Sequence, residues 1–142
     1  EYQKRLSRYC KLEVVELPEE RLPEHPSQAQ ITAALAREAE GIFARLPPSA
    51  SLIALCIEGR MRSSEELAQL VGTWEQSSAK HLVFLIGDSY GLHPSIKAEA
   101  QVKLSMSPMT FPVSHSAPCR PPGRPERIHH VQEEVYGFQK RV

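Results

Sequence analysis

Two loops that follow short strands hold the residues most able to build a ligand site. The apolar run Leu82–Ile86 leads into the glycine-punctuated loop Gly87–Leu92, and a second strand leads into residues 104–112, LSMSPMTFP. In open α/β sheets, ligands bind in the crevice beyond the carboxyl ends of the strands. Two such loops close together would form a cradle made mostly of backbone groups, so this part of the chain is the candidate binding site.

Other candidate sites have less support. The pairs His129-His130 and Glu133-Glu134 have helical spacing that suits a metal, but no further ligand stands near them in the sequence. We therefore interpret them as a solvated tail and expect no metal. The segment Gly87-x-x-x-Gly91 lacks the Lys-Ser/Thr that completes a phosphate-binding loop, so nucleotide hydrolysis is not expected.

The charge of the chain is balanced. Seventeen basic and seventeen acidic side chains leave the 142 residues without net charge, so the general basic surface of an autonomous RNA binder is absent. A local exception is the basic cluster Lys4, Arg5, Arg8 and Lys11 on or beside an N-terminal helix. These side chains could contact RNA phosphates, although a solvated helix face is the default interpretation.

The cysteines and the apolar runs indicate the compartment. Cys10, Cys56 and Cys119 are odd in number and far apart, which is typical of reduced thiols and not of a disulfide framework or a zinc site. Cys56 lies within an apolar run and should be a small buried hydrophobe. No apolar run approaches membrane-spanning length, and we find no charged-then-apolar leader. We expect a soluble, cytoplasmic protein with no membrane partner.

Strand and helix patterns alternate along the chain and position the two loops. Strands are predicted at Leu12–Leu17, Leu52–Ile57 and Leu82–Ile86, of which the last two are short continuous apolar runs typical of buried strands. A helix should begin at the N-cap Ser27, and Ser63-x-x-Glu66 is a capping box that begins another. Strand–helix–strand order with apolar strands predicts an α/β fold with a largely parallel sheet.

The two loops together carry a recognisable motif. The pattern I-G-x-S-x-G-L begins at Ile86, and K-L-S-x-S-x-M-T-F-P begins at Lys103. This combination resembles the RlmH type of the SPOUT superfamily, whose members methylate a pseudouridine of large-subunit ribosomal RNA. The resemblance covers residues 1–112, roughly four-fifths of the chain. It includes, in the family's order, Glu1–Ser7, Val14–Pro18, Arg37-Glu38, Ile53–Gly59 and Ser63–Ala68.

The resemblance implies S-adenosylmethionine as the cofactor. Leu55 would pack on it at the end of its strand, and Gly87 would let the backbone approach closely because no Cβ intervenes. The loop after the last strand would supply backbone contacts and apolar walls around the adenine. That loop consists of Met106, Ser107, Pro108, Met109, Thr110 and Phe111.

Three residues of the candidate site depart from the family pattern. Asp88 and Tyr90 stand where relatives usually have glycine and leucine, and Pro108 replaces a frequent lysine. The C-terminal histidine and tyrosine that relatives use for substrate handling have no match. No catalytic residue is therefore assigned.

For the chain as a whole, the resemblance implies one SPOUT domain over residues 1–142, with flanking helices and a C-terminal trefoil knot. The family's first strand is absent, and residues 113–125, VSHSAPCRPPGRP, cannot form the core of a helix. One hypothesis is a reading-frame error, since the codons of Cys119–Pro122, shifted by one base, can encode Val-Val-Leu-Leu. The alternative is a divergent, disordered tail over 113–142. The coding DNA distinguishes the two.

The implied activity is methylation of N3 of a pseudouridine in 23S ribosomal RNA by a homodimer acting on the ribosome. Two alternatives from other classes stay open: a catalytically inactive relative that retains cofactor affinity, and an α/β interaction module with no cofactor. A frame-corrected tail favours the enzyme, whereas a genuine proline-rich tail favours the alternatives.

Overall fold

The computed structural model describes residues 2–18, 20–87, 90–108 and 133–139. Helices and strands alternate along most of the chain, as the sequence predicts. The helices are α1 (Tyr2–Leu6), α2 (Gln28–Arg45), α3 (Ser64–Gln76) and α4 (Pro94–Glu99). The strands are β1 (Lys11–Leu17), β2 (Ala50–Met61), β3 (His81–Ile86), β4 (Val102–Ser105) and β5 (Glu133–Gln139).

The two long helices begin with complete capping boxes. At α2, the Ser27 hydroxyl accepts from the backbone N–H of Gln30 at 3.2 Å, and the Gln30 side chain accepts from the Ser27 backbone N–H at 2.8 Å. At α3, Ser63 and Glu66 exchange the same two bonds at 3.2 and 2.8 Å. Each box satisfies two N–H groups that the helix leaves unpaired, so both predicted helix starts are confirmed.

The described strands form one sheet in the order β1-β5-β3-β2-β4. Strand β2 is parallel to both β3 and β4, whereas β5 is antiparallel to both β1 and β3. Strands β1, β2, β3 and β4 therefore all run in one direction. This confirms the prediction of an α/β fold with a largely parallel sheet and flanking helices.

Strand β5 comes from the tail to which the sequence analysis assigned no element. It pairs with β1 from Lys11↔Gln139 to Leu17↔Glu133, and with β3 from His81↔Gln139 to Ile86↔Glu134. A strand in this position satisfies backbone groups of both neighbours. The expected trefoil knot and the proline-rich segment fall on residues 113–132, which lie outside the described residues.

The sheet is buried on both faces. Leu52 and Ala54 of β2 belong to one apolar cluster, whereas Ile53 between them belongs to a second cluster with Trp74 of α3. Because successive side chains of a strand point to opposite faces, the two clusters lie on opposite faces of the sheet. The first cluster is covered by α2 and α4, and the second by α3.

Candidate functional site

Strands β3, β2 and β4 end near one edge of the sheet. In the strand register, Leu55 lies beside Ile86 of β3 and beside Leu104 of β4. Gly87 follows Ile86 directly, and Met106 stands two residues after Leu104. The structure therefore brings three of the sequence-predicted site residues, Leu55, Gly87 and Met106, to the same sheet edge.

Gly87 is required by the loop itself. An added Cβ would lie 2.5 Å from the carbonyl carbon and 2.6 Å from the carbonyl oxygen of Gly91, and 2.9 Å from the backbone nitrogen of Leu92. Gly91 has a φ of 81°, a conformation that side chains disfavour. The sequence analysis attributed Gly87 to close approach of a ligand, but the group that closely approaches it here is the backbone of its own loop.

A serine tightens the turn after β4. The hydroxyl of buried Ser105 donates to the carbonyl oxygen of Ser107 at 3.0 Å. Between them, the Met106 side chain is 77% exposed, and Pro108 is exposed as well. This turn offers apolar surface at the sheet edge. The remaining members of the predicted segment, Met109, Thr110 and Phe111, lie outside the described residues, as do Asp88 and Ser89.

A bulge in β2 adds a second apolar element at this edge. Leu55 and Arg60 both pair with Leu104, so residues 56–59 stand out of the ladder. Gly59 permits this arrangement, since an added Cβ would lie 2.7 Å from the carbonyl carbon of Leu104. The bulge leaves the Ile57 side chain 59% exposed. Bulges re-aim side chains and are frequent next to functional sites. The sequence analysis ended this strand at Ile57 and gave no sign of the bulge.

An ion pair joins the bulge to α4. The Lys97 ammonium donates to the Glu58 carboxylate, and this hydrogen bond lowers the pKa of Glu58. Because Glu58 is half exposed, the pair stabilises the fold only modestly. Its main consequence is positional, since it holds the bulge beside the helix that follows the Gly87–Leu92 loop.

Helix α4 also has a cap that the sequence analysis did not identify. The Nδ1 atom of His93 accepts from the backbone N–H of Ser95 at 3.2 Å, and Pro94 occupies the first helical position. Ile96 is 0% exposed and packs in the same cluster as Leu92. These contacts fix the end of the glycine loop to the core. A histidine followed by proline is a usable local signal for such a helix start.

Cys56 offers a chemical probe of the bulge. Cys56 is half-buried, so the prediction of a buried thiol is wrong. Partial burial raises the pKa of its thiol, and the negative charge of Glu58 raises it further. Because the thiolate is the reactive form, we expect iodoacetamide to alkylate Cys56 at neutral pH more slowly in the folded protein than in the urea-unfolded chain. Glu58→Gln should accelerate the reaction of the folded protein. Peptide-resolved mass spectrometry measures these rates, and equal rates in the folded and unfolded chains would contradict the prediction.

The described residues contain neither a metal-binding cluster nor a membrane-spanning helix. Within residues 4–18, 20–87 and 90–108, no group of three or more histidine, cysteine or acidic side chains is arranged to hold a metal ion. In the same part of the chain, no helix combines the length and apolar character needed to cross a membrane. The candidate pair His129-His130 lies outside the described residues.

Comparison with known proteins identifies the family. A family model described as "Predicted SPOUT methyltransferase" matches residues 1–116. This chain belongs to the SPOUT methyltransferase family. It is therefore a methyltransferase that works with a methyl-donor cofactor, and the resemblance stated from the sequence is confirmed. The matched residues of this SPOUT methyltransferase include β2, β3, α4 and β4, which build the site described above.

Individual relatives agree with the family match. A protein of Methanococcus vannielii is 43% identical over 112 residues, which are 79% of this chain and 70% of that protein. Proteins named ribosomal RNA large subunit methyltransferase H from Bacillus pumilus and Bifidobacterium animalis subsp. lactis are 41% and 42% identical over 112 residues. These alignments also cover 79% of this SPOUT methyltransferase and 70% of each relative.

Proposed function

We propose that this chain transfers a methyl group from S-adenosylmethionine to N3 of a pseudouridine in 23S ribosomal RNA. One observation carries the proposal. The family match spans residues 1–116, and within that range the strand register places Leu55 of β2 beside the ends of β3 and β4, which lead into Gly87 and Met106. Relatives that are 41% and 42% identical are named ribosomal RNA large subunit methyltransferases, which supports the substrate class.

The residues at the sheet edge fit such a cofactor. Half-buried Leu55 and exposed Met106 provide apolar surface, which suits an adenine ring and a methionine side chain. The turn held by Ser105 and the loop held by Gly87 provide backbone groups at the same edge. We propose that Leu55, Gly87 and the loop from Met106 to Phe111 hold the cofactor. When bound, S-adenosylmethionine supplies an electrophilic methyl group on its sulfonium.

The protein's own task is then one of orientation. Pseudouridine N3 becomes a nucleophile when it loses its proton, so the site must hold the base close to the methyl group and stabilise the resulting negative charge. We propose that backbone N–H groups of the two loops take that role, because preorganised donors need no reorganisation during the reaction. We assign no side chain to proton removal.

We further propose that the enzyme acts as a cytoplasmic homodimer. Exposed apolar side chains next to the strand ends support a second subunit there, because clustered apolar surface commonly marks a contact site. Met61 pairs with Ser105 in the ladder, which places it beside Met106. The exposed apolar set is Ile57, Met61 and Met106.

Calorimetric titration with S-adenosylmethionine, with S-adenosylhomocysteine as a parallel titrant, is the first test. We expect micromolar dissociation constants near one site per chain. Radiolabelled methyl transfer to large ribosomal subunits that lack the modification is the second test, with the labelled base located by mass spectrometry. We expect label on N3 of a single pseudouridine.

The two measurements separate the proposal from its alternatives. A folded protein that binds S-adenosylmethionine but labels no ribosomal RNA would support the catalytically inactive relative. A folded protein that binds neither titrant would support the interaction module. Either result would overturn the proposed activity.

A further inference from the structure

We propose that a basic surface on α1 and the turn after it contacts the phosphates and an unstacked base of the RNA substrate, away from the reacting base. We call it the α1 basic surface and define it by Lys4, Arg5, Arg8 and Tyr9. The inference rests on the proposed function for the identity of the RNA, but the surface itself stands on the geometry of these four residues.

The α1 basic surface is one continuous patch. Lys4 and Arg8 are four residues apart, as are Arg5 and Tyr9, and side chains at this spacing lie on the same side of a helical segment. The turn after α1 continues this arrangement, because the N–H groups of Tyr9 and Cys10 donate to the carbonyl oxygen of Leu6 at 2.9 and 3.1 Å. The four side chains line a common surface cleft.

No ion pair between described residues neutralises the positive charge of this surface. The stretch from Lys4 to Lys11 holds four cationic and no acidic residues, although the whole chain has zero net charge. In the described part of the chain, the three ion pairs are Arg37–Glu20, Arg60–Glu66 and Lys97–Glu58, and none includes a residue of the α1 basic surface. An exposed cluster of this kind attracts a polyanion.

The exposed tyrosine indicates the kind of polyanion. Tyr9 is 82% exposed. Its aromatic ring lies among the cationic side chains and has a face open to solvent. Unstacked RNA bases stack on such rings while the backbone phosphates meet lysine and arginine. An anionic lipid headgroup would use the charges but has no base to stack on the ring. The combination of three cations and one ring therefore favours RNA.

The α1 basic surface lies far from the candidate cofactor site. Lys11 at the start of β1 and His81 at the start of β3 both pair with Gln139, so they lie at the same end of the sheet. Ile86, which ends β3 beside the candidate cofactor site, is five residues after His81. Five strand steps span about 17 Å, and α1 precedes Lys11 at the other end of the sheet. A contact there positions a large substrate and leaves the reacting groups untouched. We therefore expect it to change substrate affinity and not the chemical step.

The test compares two triple variants with the same change in charge. Lys4→Gln/Arg5→Gln/Arg8→Gln removes the cations of the α1 basic surface, and the control Arg21→Gln/Arg37→Gln/Lys80→Gln removes three exposed cations elsewhere. Binding to large ribosomal subunits is measured by filter retention at several KCl concentrations. The affinity for S-adenosylmethionine and the methyl-transfer kinetics are measured on the same proteins.

We expect the first variant to bind the subunits about 10-fold to 100-fold more weakly at moderate salt. The plot of the logarithm of its binding constant against the logarithm of the KCl concentration should be less steep by about two. Its KM for the subunits should rise while kcat and cofactor affinity stay at wild-type values. Tyr9→Ala should weaken binding about tenfold, and Tyr9→Phe should retain it. The control variant should match wild type within about twofold.

Equal behaviour of the two triple variants would overturn the inference and leave the proposed function intact. Preferential, cation-dependent binding to vesicles of anionic lipid over ribosomal subunits would also overturn it. If wild type binds the subunits through these cations but transfers no methyl group, the proposed function fails and the RNA contact stands. The two failures are therefore distinguishable.

Discussion

Replacing Gly87 with alanine should weaken S-adenosylmethionine binding about 100-fold or more while the protein stays folded. The new Cβ would overlap the carbonyl carbon of Gly91 at 2.5 Å, and backbone cannot move aside as a flexible side-chain tip can. The loop must shift instead. In enzymes, a misplacement of about 1 Å can lower the reaction rate about 100-fold, and we expect a comparable loss of cofactor affinity here. We expect an accompanying loss of about 1–3 kcal/mol in the free energy of unfolding, typical of overpacking.

Gly72→Ala is the matched control for this experiment. Gly72 lies within α3, and an added Cβ there meets nothing within 4 Å. Alanine should therefore stabilise the helix by about 0.5–1 kcal/mol and leave cofactor affinity unchanged. Calorimetric titration and urea denaturation of both variants measure the two quantities. Wild-type affinity in Gly87→Ala would show that the loop is not part of the cofactor site.

Ile96→Ala should produce the largest loss of stability, about 2–5 kcal/mol, because it leaves a cavity beneath the glycine loop. Ile96 is 0% exposed and is the buried anchor of α4. It packs in the cluster that holds Leu92, Leu85 and Val83. A cavity at this position also loosens the end of the loop, so cofactor affinity should fall together with stability.

Ile96→Val and Ile57→Ala are the controls with which the loss of stability in Ile96→Ala is compared. Ile96→Val should cost only about 0.5–1.5 kcal/mol, since it removes one methylene group. Ile57→Ala, at a position that is 59% exposed, should stay within about 0.5 kcal/mol of wild type. Urea denaturation followed by circular dichroism measures all three. A loss for Ile96→Ala no larger than that for Ile57→Ala would contradict the assignment of α4 to the core.

The sequence predicted those features that depend on neighbouring residues. The capping box of Ser63 and Glu66 and the N-cap Ser27 are local patterns of polar side chains and backbone N–H groups, so the sequence predicts them without knowledge of the fold. The apolar runs at Leu52–Ile57 and Leu82–Ile86 predicted strands buried on both faces, which holds for Leu52–Ala54 and Leu82–Leu85 but not for exposed Ile57. The rule that ligands meet strand ends pointed to the two loops after Leu82–Ile86 and Leu104, whereas Leu55 was named only because of the family resemblance.

The same local patterns did not predict strand β5. Its sequence, EEVYGFQ, contains two glutamates and a glycine, which are depleted in strands. The proline-rich stretch before it made a structureless tail the expectation. Pairing with β1 on one side and β3 on the other stabilises backbone that local propensity does not favour, and such long-range pairing leaves no pattern in the segment itself.

The sequence by itself determined the order of the elements before β5 and the starts of α2 and α3, because these follow from local hydrogen bonding and apolar periodicity. Only the tertiary structure decided the strand order, the bulge at residues 56–59 and the contact between Gly87 and Gly91. It also showed that Lys97 reaches Glu58. Each of these depends on which distant parts of the backbone meet after the chain has folded, and local propensity does not specify those contacts.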